Sequence, residues 1–444
     1  MCDSFVALKN TTADGVTILA KNSDRPPNEG QHLLFVPAAG HPARSSLRCT
    51  YIEIPQVPHT HAVLLSKPYW MWGAEIGIND HGVAIGNEAI FSRIPAEKTG
   101  KLLGMDLLRL GLERAASARE AVSVIVELLE QYGQGGNCVA TGKLYYHNSY
   151  IIADPDDAWV LETVGERYAA KRVNDIYSIS NCLSIQHDWD LASDDLAEHA
   201  VRNGWAKSDA EFDFARDYSD LIYTTFARGR VRRTCTADAL RGRHGRVTVR
   251  DMMKTLRTHT AAGAAAWEPQ HGLFTEDVCM HAGFGPVRDS QSTSSMVFHL
   301  QRGHPTVFFT GTSAPCTSLF KPVWPDAALP DSGPAPTNVY DTRSLYWQHE
   351  RLHRAVVADY GARFPAYAQE RDTLEAEFVE GALKIAAAPP KERADYAASC
   401  YARAAAAEAD WLARVEAVPA NADGDWLYRA AWRKFNSKAH MPQS

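Results

Sequence analysis

The chain has no uninterrupted apolar run of about 20 residues, so no bilayer-spanning helix is expected. A basic stretch leading into an apolar run is also missing near residue 1, where Asp3 comes early, so no signal peptide is read. Walker loops, a GxGxxG turn after a strand, a GxSxG elbow and paired CxxC knuckles are all absent, which removes the common nucleotide, dinucleotide and serine-elbow chemistries. The eight cysteines, at 2, 49, 138, 182, 235, 279, 316 and 400, are scattered rather than framed, as reduced thiols of a cytoplasmic protein are. Net charge is only −7, too little to favour nucleic acid or an anionic membrane as partner. The basic runs RGRVRR at 228–233 and LRGRHGR at 240–246 lack the interleaved aromatics of a single-strand platform and read as solvated loop.

What is present is an ordinary globular composition, with 45% hydrophobic residues and 11 tryptophans to fill a core. VTILAKNSD at 16–24, YIEIPQV at 51–57, HAVLLSKP at 61–68 and GVAIGNEAIF at 82–91 are short apolar runs between turn residues, predicting strands. In SAREAVSVIVELLEQYG the apolar positions recur at helical spacing, with Ser117 and Glu120 as a capping box and Gly133 as the stop. Strands resume at 150–173 as a meander through the DPDD and GE turns, and again at 295–301 and 305–312. Strands, helices, then strands predict an α+β protein with antiparallel sheets. The Pro- and Asp-rich stretch 325–338 predicts a linker between a body at 1–330 and a helical C-terminal appendage at 331–444.

One metal signature exists by letter. HERLH at 349–353 is H-E-x-x-H, which on a helix places His349 and His353 one turn apart with Glu350 as a base. It falls in the charged C-terminal segment with no metzincin histidine after it, and a helix surface is the expected setting. Cys279 and His281 could ligate a metal only with partners the sequence does not identify, and a strand interior is expected for them.

A different chemistry starts at the second residue. If Met1 is removed, Cys2 carries a thiol and a free α-amine with reference pKa values near 8.5 and 7.7–8.0, a pair able to pass a proton near neutrality. KNSDRPPNEGQ at 21–31 follows the second predicted strand, which could return beside the first. Lys21, Asp24 and Arg25 would then hold the amine and favour the thiolate, and Glu29 would meet a polar substrate. Asn87 in IGNEA and Asn181 in SISNCLSI lie in or at the end of apolar runs, where a side-chain amide needs a buried partner; oxyanion donation is one such role and a structural turn the other.

CDSFVA, AKNSDRPPNEGQ, WMWGAEIGINDHGVAIGNEA, LLGMDLLRLGLERAASAREAV, YGQGGN, DAWVLET, ISNCLSI and FKPVW, in order from residue 2 to about 325, resemble the sequence blocks of secernins, a family of cysteine-type dipeptidases within the N-terminal nucleophile hydrolases. The resemblance implies a four-layer αββα sandwich with a helical C-terminal appendage, and Cys2 as nucleophile after loss of Met1. It further implies Lys21 and Asp24 beside that nucleophile, Asn181 and more loosely Asn87 as oxyanion donors, and Arg230, or Arg232 in a competing alignment, from a helical insertion. Arg25, Glu29 and Glu75 are assigned to substrate binding. The implied reaction is hydrolysis of small peptides or amides without metal or other cofactor. A non-enzymatic interaction protein of the same fold and a zinc peptidase through HERLH are the alternatives. Substrate identity and oligomeric state are left open.

Overall fold

The computed structural model describes residues 1–259, 267–271, 277–284, 288–420 and 425–442. Cys2–Ala7 (β1) and Ile18–Arg25 (β2) form an antiparallel hairpin in which Cys2 lies opposite Ser23 and Ser4 opposite Lys21. Gln31–Val36 (β3) follows. Two small ribbons come next, pairing Ala39–Gly40 (β4) with His59–Thr60 (β7) and Ser46–Arg48 (β5) with Glu53–Pro55 (β6). Val63–Pro68 (β8), Ile76–Asn79 (β9) and Ala84–Ile90 (β10) then lead into helices Gly104–Arg114 (α1) and Ala118–Tyr132 (α2). Ser117 accepts the Glu120 amide at 3.2 Å to cap α2, and Gly133 ends it with φ of 66°, as the sequence predicts.

The predicted meander is His147–Ala153 (β11), Ala158–Val164 (β12) and Arg167–Arg172 (β13), after which come Ile176–Ile179 (β14) and Leu191–Ala192 (β15). A helical stretch follows with Leu196–Arg202 (α3), Phe214–Tyr218 (α4), Leu221–Ala227 (α5), Gly229–Arg241 (α6) and Val249–Leu256 (α7). Gln291–His299 (β16), Thr306–Phe309 (β17) and Lys321–Val323 (β18) complete the strands. Leu345–Val357 (α8), Tyr360–Arg363 (α9), Ala368–Lys384 (α10), Pro390–Ala417 (α11) and Trp426–Lys438 (α12) close the chain.

All sheet pairings are antiparallel. One sheet runs β14-β1-β2-β16-β17-β18 and the other β15-β13-β12-β11-β10-β9-β8-β3. Because side chains alternate along a strand, each sheet has two apolar faces. Val6, Leu19, Met296 and Phe298 of the six-stranded sheet meet Ile76, Ile78, Ile151 and Val160 of the eight-stranded sheet in the central core. The odd-numbered Phe5 and Ala7 face the other way, onto Met252, Leu256 and Leu240 of α6 and α7, while Ile85 and Ile152 face α1 and α2. Four layers, α, β, β and α, therefore stack as expected. Each fully buried aliphatic or phenylalanine side chain in them contributes about 1.5–3 kcal/mol.

The C-terminal segment departs from the expected appendage. It is helical, and 325–338 is irregular apart from its first residues, but Val379, Ala382 and Ala397 share a core with Phe5, Ala7 and Ile18 of the first two strands. The Tyr346 hydroxyl also donates to the Pro27 carbonyl at 2.8 Å. Val379 and Ala382 of α10 and Ala397 of α11 thus form part of the packing face against the six-stranded sheet, and the helices add to its outer layer.

Candidate active site

Cys2 lies on β1 with its side chain between the sheets, 4% exposed. Its backbone nitrogen donates to Asn181 Oδ1 at 2.8 Å, and its Sγ accepts the Asp24 amide at 3.3 Å, with Glu75 Oε2 at 4.0 Å. Burial pushes the thiol up to about 11, against the opposing pull of the Lys21 ammonium.

Three buried clusters surround it. On the outer face, Arg232 donates to Asp3, to Asn181 Oδ1 at 2.8 Å and to the Cys2 carbonyl at 3.3 Å, while Ser180 donates to Asp3 at 2.7 Å. On the inner face Lys21 donates to the Asn87 carbonyl and lies 3.4 Å from Glu88 Oε1, which Ser4 also contacts. Burial lifts Glu88 to about 7 although Lys21 and Ser4 pull it down. For Lys21 burial favours the neutral amine, but the thiol sulfur, Glu88, Glu75 and Asp24 outweigh it and hold the ammonium. The third cluster is a fork: Arg25 grips Glu29, reaches Glu75 at 3.3 Å and takes the Tyr146 hydroxyl and the Cys138 carbonyl as further partners. Trp70 Nε1 donates to Glu29 at 2.7 Å.

Asp24 faces outward with Asp3 and Arg232. Ser292 on β16 donates to its Oδ1 at 2.7 Å, and its Oδ2 is buried without a hydrogen-bond partner among the described residues. Burial raises its carboxyl to about 6. A cleft of about 410 Å³ lined by Phe91, Tyr146, His147, Asp220 and Tyr223 reaches the Arg25 cluster through the Tyr146 hydroxyl.

The structure brings Cys2, Lys21, Asp24, Arg25, Glu29, Glu75 and Asn181 together, and corrects two other assignments. Arg230 is exposed at the rim of a separate cleft, and Arg232, two positions on along α6, is the guanidinium beside Cys2. Two residues turn a helix by about 200°, so the neighbouring arginines point apart. Asn87 reaches the site through its backbone, its carbonyl accepting from Lys21 and its amide donating to the Glu75 carbonyl at 3.3 Å. Its side chain lies on the sheet face towards α1, where Nδ2 donates to Asn148 Oδ1 at 3.0 Å, because Glu88 takes the inner face. Asn181 also has a different principal task from the expected one: Oδ1 receives the Cys2 nitrogen and Nδ2 donates to the Ala89 carbonyl at 2.7 Å. Gly229 permits this closeness, since a Cβ there would sit 2.8 Å from the Asn181 carbonyl carbon.

Sequence reasoning missed Asp3, Glu88, Ser292 and Tyr146. The alternation CDSFVA carried a signal for Asp3, a charge between apolar residues on one face of a buried strand.

HERLH does form on a helix, α8, yet not on a surface: His349, Glu350 and His353 are fully buried. The expectation failed because partners from distant segments neutralise the motif. Glu408 lies 3.1 Å from His349 Nδ1, Thr317 Oγ1 is 3.4 Å from its Nε2, and Arg354 and Gln291 bind Glu350. Glu350 is committed to these partners, and neither histidine belongs to a metal-ligating cluster among the described residues.

A model of peptidase family C69 matches residues 1–231. A dipeptidase of Bifidobacterium longum is 27% identical over 240 residues, which cover 46% of this chain and 43% of that relative. A probable dipeptidase B of Lactococcus lactis is 25% identical over 193 residues, 39% of this chain and 37% of the relative. The chain thus spans less than half the length of these curated relatives. Among solved structures, a C2A mutant of conjugated bile acid hydrolase from Clostridium perfringens is similar with a TM-score of 0.43 at 11% identity, covering 73% of this chain and 92% of that one. Penicillin V acylase from Agrobacterium tumefaciens gives 0.41 at 12% identity, covering 73% and 86%.

Proposed function

This chain belongs to peptidase family C69, and on that premise we propose that it is a cysteine-type amide hydrolase, a dipeptidase in substrate class, with Cys2 as nucleophile once Met1 is removed. The observation that carries the reading is the double hold on Cys2: Asn181 Oδ1 on its nitrogen and the Asp24 amide on its sulfur. Removing Met1 turns that nitrogen into an amine kept in place by Asn181, itself locked by Arg232.

In the proposed reaction the amine accepts the thiol proton and Sγ attacks the substrate carbonyl carbon. The carbon–sulfur bond forms as the carbonyl electron pair moves to oxygen. Lys21 favours the thiolate electrostatically, and the second hydrogen of Asn181 Nδ2 is the candidate donor to the oxyanion. The ammonium returns its proton to the leaving amine as the carbon–nitrogen bond breaks. Water, deprotonated by the same amine, then cleaves the thioester. Arg25 is committed to Glu29 and Glu75, so it positions carboxylates rather than binding substrate directly; Glu75 Oε2, which faces the sulfur, suits a substrate ammonium.

The test is a screen of dipeptides and N-acyl amino acids with wild type and Cys2→Ala, after mass spectrometry of the mature N-terminus. Loss of turnover in Cys2→Ala is expected, and unchanged turnover of every cleaved substrate would overturn the reading. The near-complete burial of Cys2 favours one competitor, a non-enzymatic interaction protein of the same fold. Retention of Met1 on the native protein would select that competitor.

A further inference from the structure

A second set of chemically active side chains lies on the outer side of the six-stranded sheet. His259 follows α7, Cys279 and His281 precede β16, and Cys316 follows β17. His281 Nε2 is 3.3 Å from His259 Nε2, 3.3 Å from Cys316 Sγ and 3.6 Å from Cys279 Sγ, and the four donor atoms all lie within 4.8 Å of one another. We propose that His259, Cys279, His281 and Cys316 form a closed tetrahedral site for a zinc ion.

Three physical features carry the proposal. Zinc–sulfur bonds near 2.3 Å and zinc–nitrogen bonds near 2.0–2.1 Å put tetrahedral donor atoms about 3.3 to 3.8 Å apart, the spacing seen around His281. The donor set, two thiols and two imidazoles, suits zinc in both softness and charge. Binding converts both thiols to thiolates and releases their protons, so the dication and its ligands sum to zero, as a buried position requires. The surroundings are built to hold the rings: Trp267 stacks on His259 with centroids 3.6 Å apart and planes 1° from parallel, and its Nε1 donates to Asp277 at 3.0 Å. Cys279, His281 and Cys316 are buried and His259 is half-buried, so the ligands are withdrawn from the surface. Four protein ligands and no open position describe a structural rather than a catalytic ion.

The site would also brace the nucleophile's surroundings. Met280, between two ligands, exchanges hydrogen bonds with Ser292, donating to its hydroxyl at 3.1 Å and accepting its amide at 3.0 Å. Ala314, two residues before Cys316, donates its amide to the Ser292 carbonyl at 2.7 Å. Ser292 is the residue that holds Asp24. The ion would thus staple the two segments that fix this serine.

Elemental analysis of untagged protein, expressed with added zinc and desalted, should give about one zinc per chain. Cys279→Ser and Cys316→Ser should each lower the content at least about tenfold, whereas Cys400→Ser, on α11, should not. Wild type tests the proposal even if those variants misfold. Stripped by a chelator under reducing conditions and reloaded with Co²⁺, it should show thiolate charge-transfer and tetrahedral d–d bands, and its Tm should fall on stripping and recover on reloading. Wild type with under about a tenth of an equivalent of zinc and no Co²⁺ uptake would overturn the site. So would a Cys279–Cys316 disulfide in the freshly isolated protein, or full zinc retention by a folded Cys279→Ser variant, which would move the ion to other ligands such as the half-buried His61 with the exposed Asp80 and His81.

Discussion

The two faces of the six-stranded sheet use cysteine in opposite ways. On the inner face Cys2 stands alone, with a single strong contact at its sulfur, the Asp24 amide, and burial drives its thiol up. On the outer face Cys316 is buried as well, yet the hydrogen bond from Cys279 and the nearby His281 and His259 outweigh burial and draw its thiol well below the usual range. In the same cluster burial and the neighbouring Cys316 hold the Cys279 thiol well above the usual range, so the two sulfurs share one proton balance that Cys2 has no second thiol to enter. A sulfur with one partner is available to a substrate carbon, and a sulfur with several is available to a metal.

The largest test of that contrast is at the sulfur itself. Cys2→Ala should abolish turnover by at least about 10⁴-fold, as loss of a nucleophile does, while a denaturant melt shifts by no more than about 1 kcal/mol. Cys316→Ser should do the reverse, lowering the melting midpoint. Next comes Arg232→Ala, which strands Asp3 and should cost about 3–5 kcal/mol in urea unfolding. Arg230→Ala, two positions away and exposed, should stay within about 0.5 kcal/mol, and equal losses from the two would refute their separation.

A smaller effect concerns pH. Glu88 titrates near 7 in the folded protein against an ordinary value of 4.5, so between those limits the folded state holds more protons and stability falls as pH rises. Its contribution is fully present below pH 4.5 and lost through pH 7, by up to about 3 kcal/mol. Glu88→Gln should flatten that part of the stability profile measured in urea, and an unchanged slope would show that Lys21 keeps the carboxylate ionised.

Much of the inner site was legible because it is local. The β1–β2 hairpin alone juxtaposes Cys2 with Lys21, Asp24 and Arg25, and a polar segment after an apolar run announces such a hairpin. Asn181, far along the chain, announced itself as an amide at the end of an apolar run that needs a buried partner, but its place beside Cys2 came only from the ordered sequence blocks. Which face Asn87 presents was not legible, since it depends on strand register relative to the core, and one residue reverses it. The choice between Arg230 and Arg232 failed for the analogous reason on a helix. HERLH misled about exposure because two of its buried partners, Glu408 beside His349 and Gln291 beside Glu350, lie on other segments. The outer cluster was the least legible of all: its ligands come from three separated stretches, and only the C-x-H at 279–281 has any local pattern. The helical C-terminal quarter was read correctly as helix but not as part of the sandwich, because charge-rich composition conceals the few small and apolar positions, Val379, Ala382 and Ala397, that meet the sheet.

Gly229 sets the mechanical tolerance of the inner site. With less than a methyl group's clearance between the start of α6 and the Asn181 backbone, helix and loop touch without slack, and Arg232 is carried on the same helix one turn later. The Cys2 nitrogen, bonded to Asn181, is thus held directly against the outer helical layer. Any displacement of that layer is felt at Cys2 as a change of aim, not absorbed on the way.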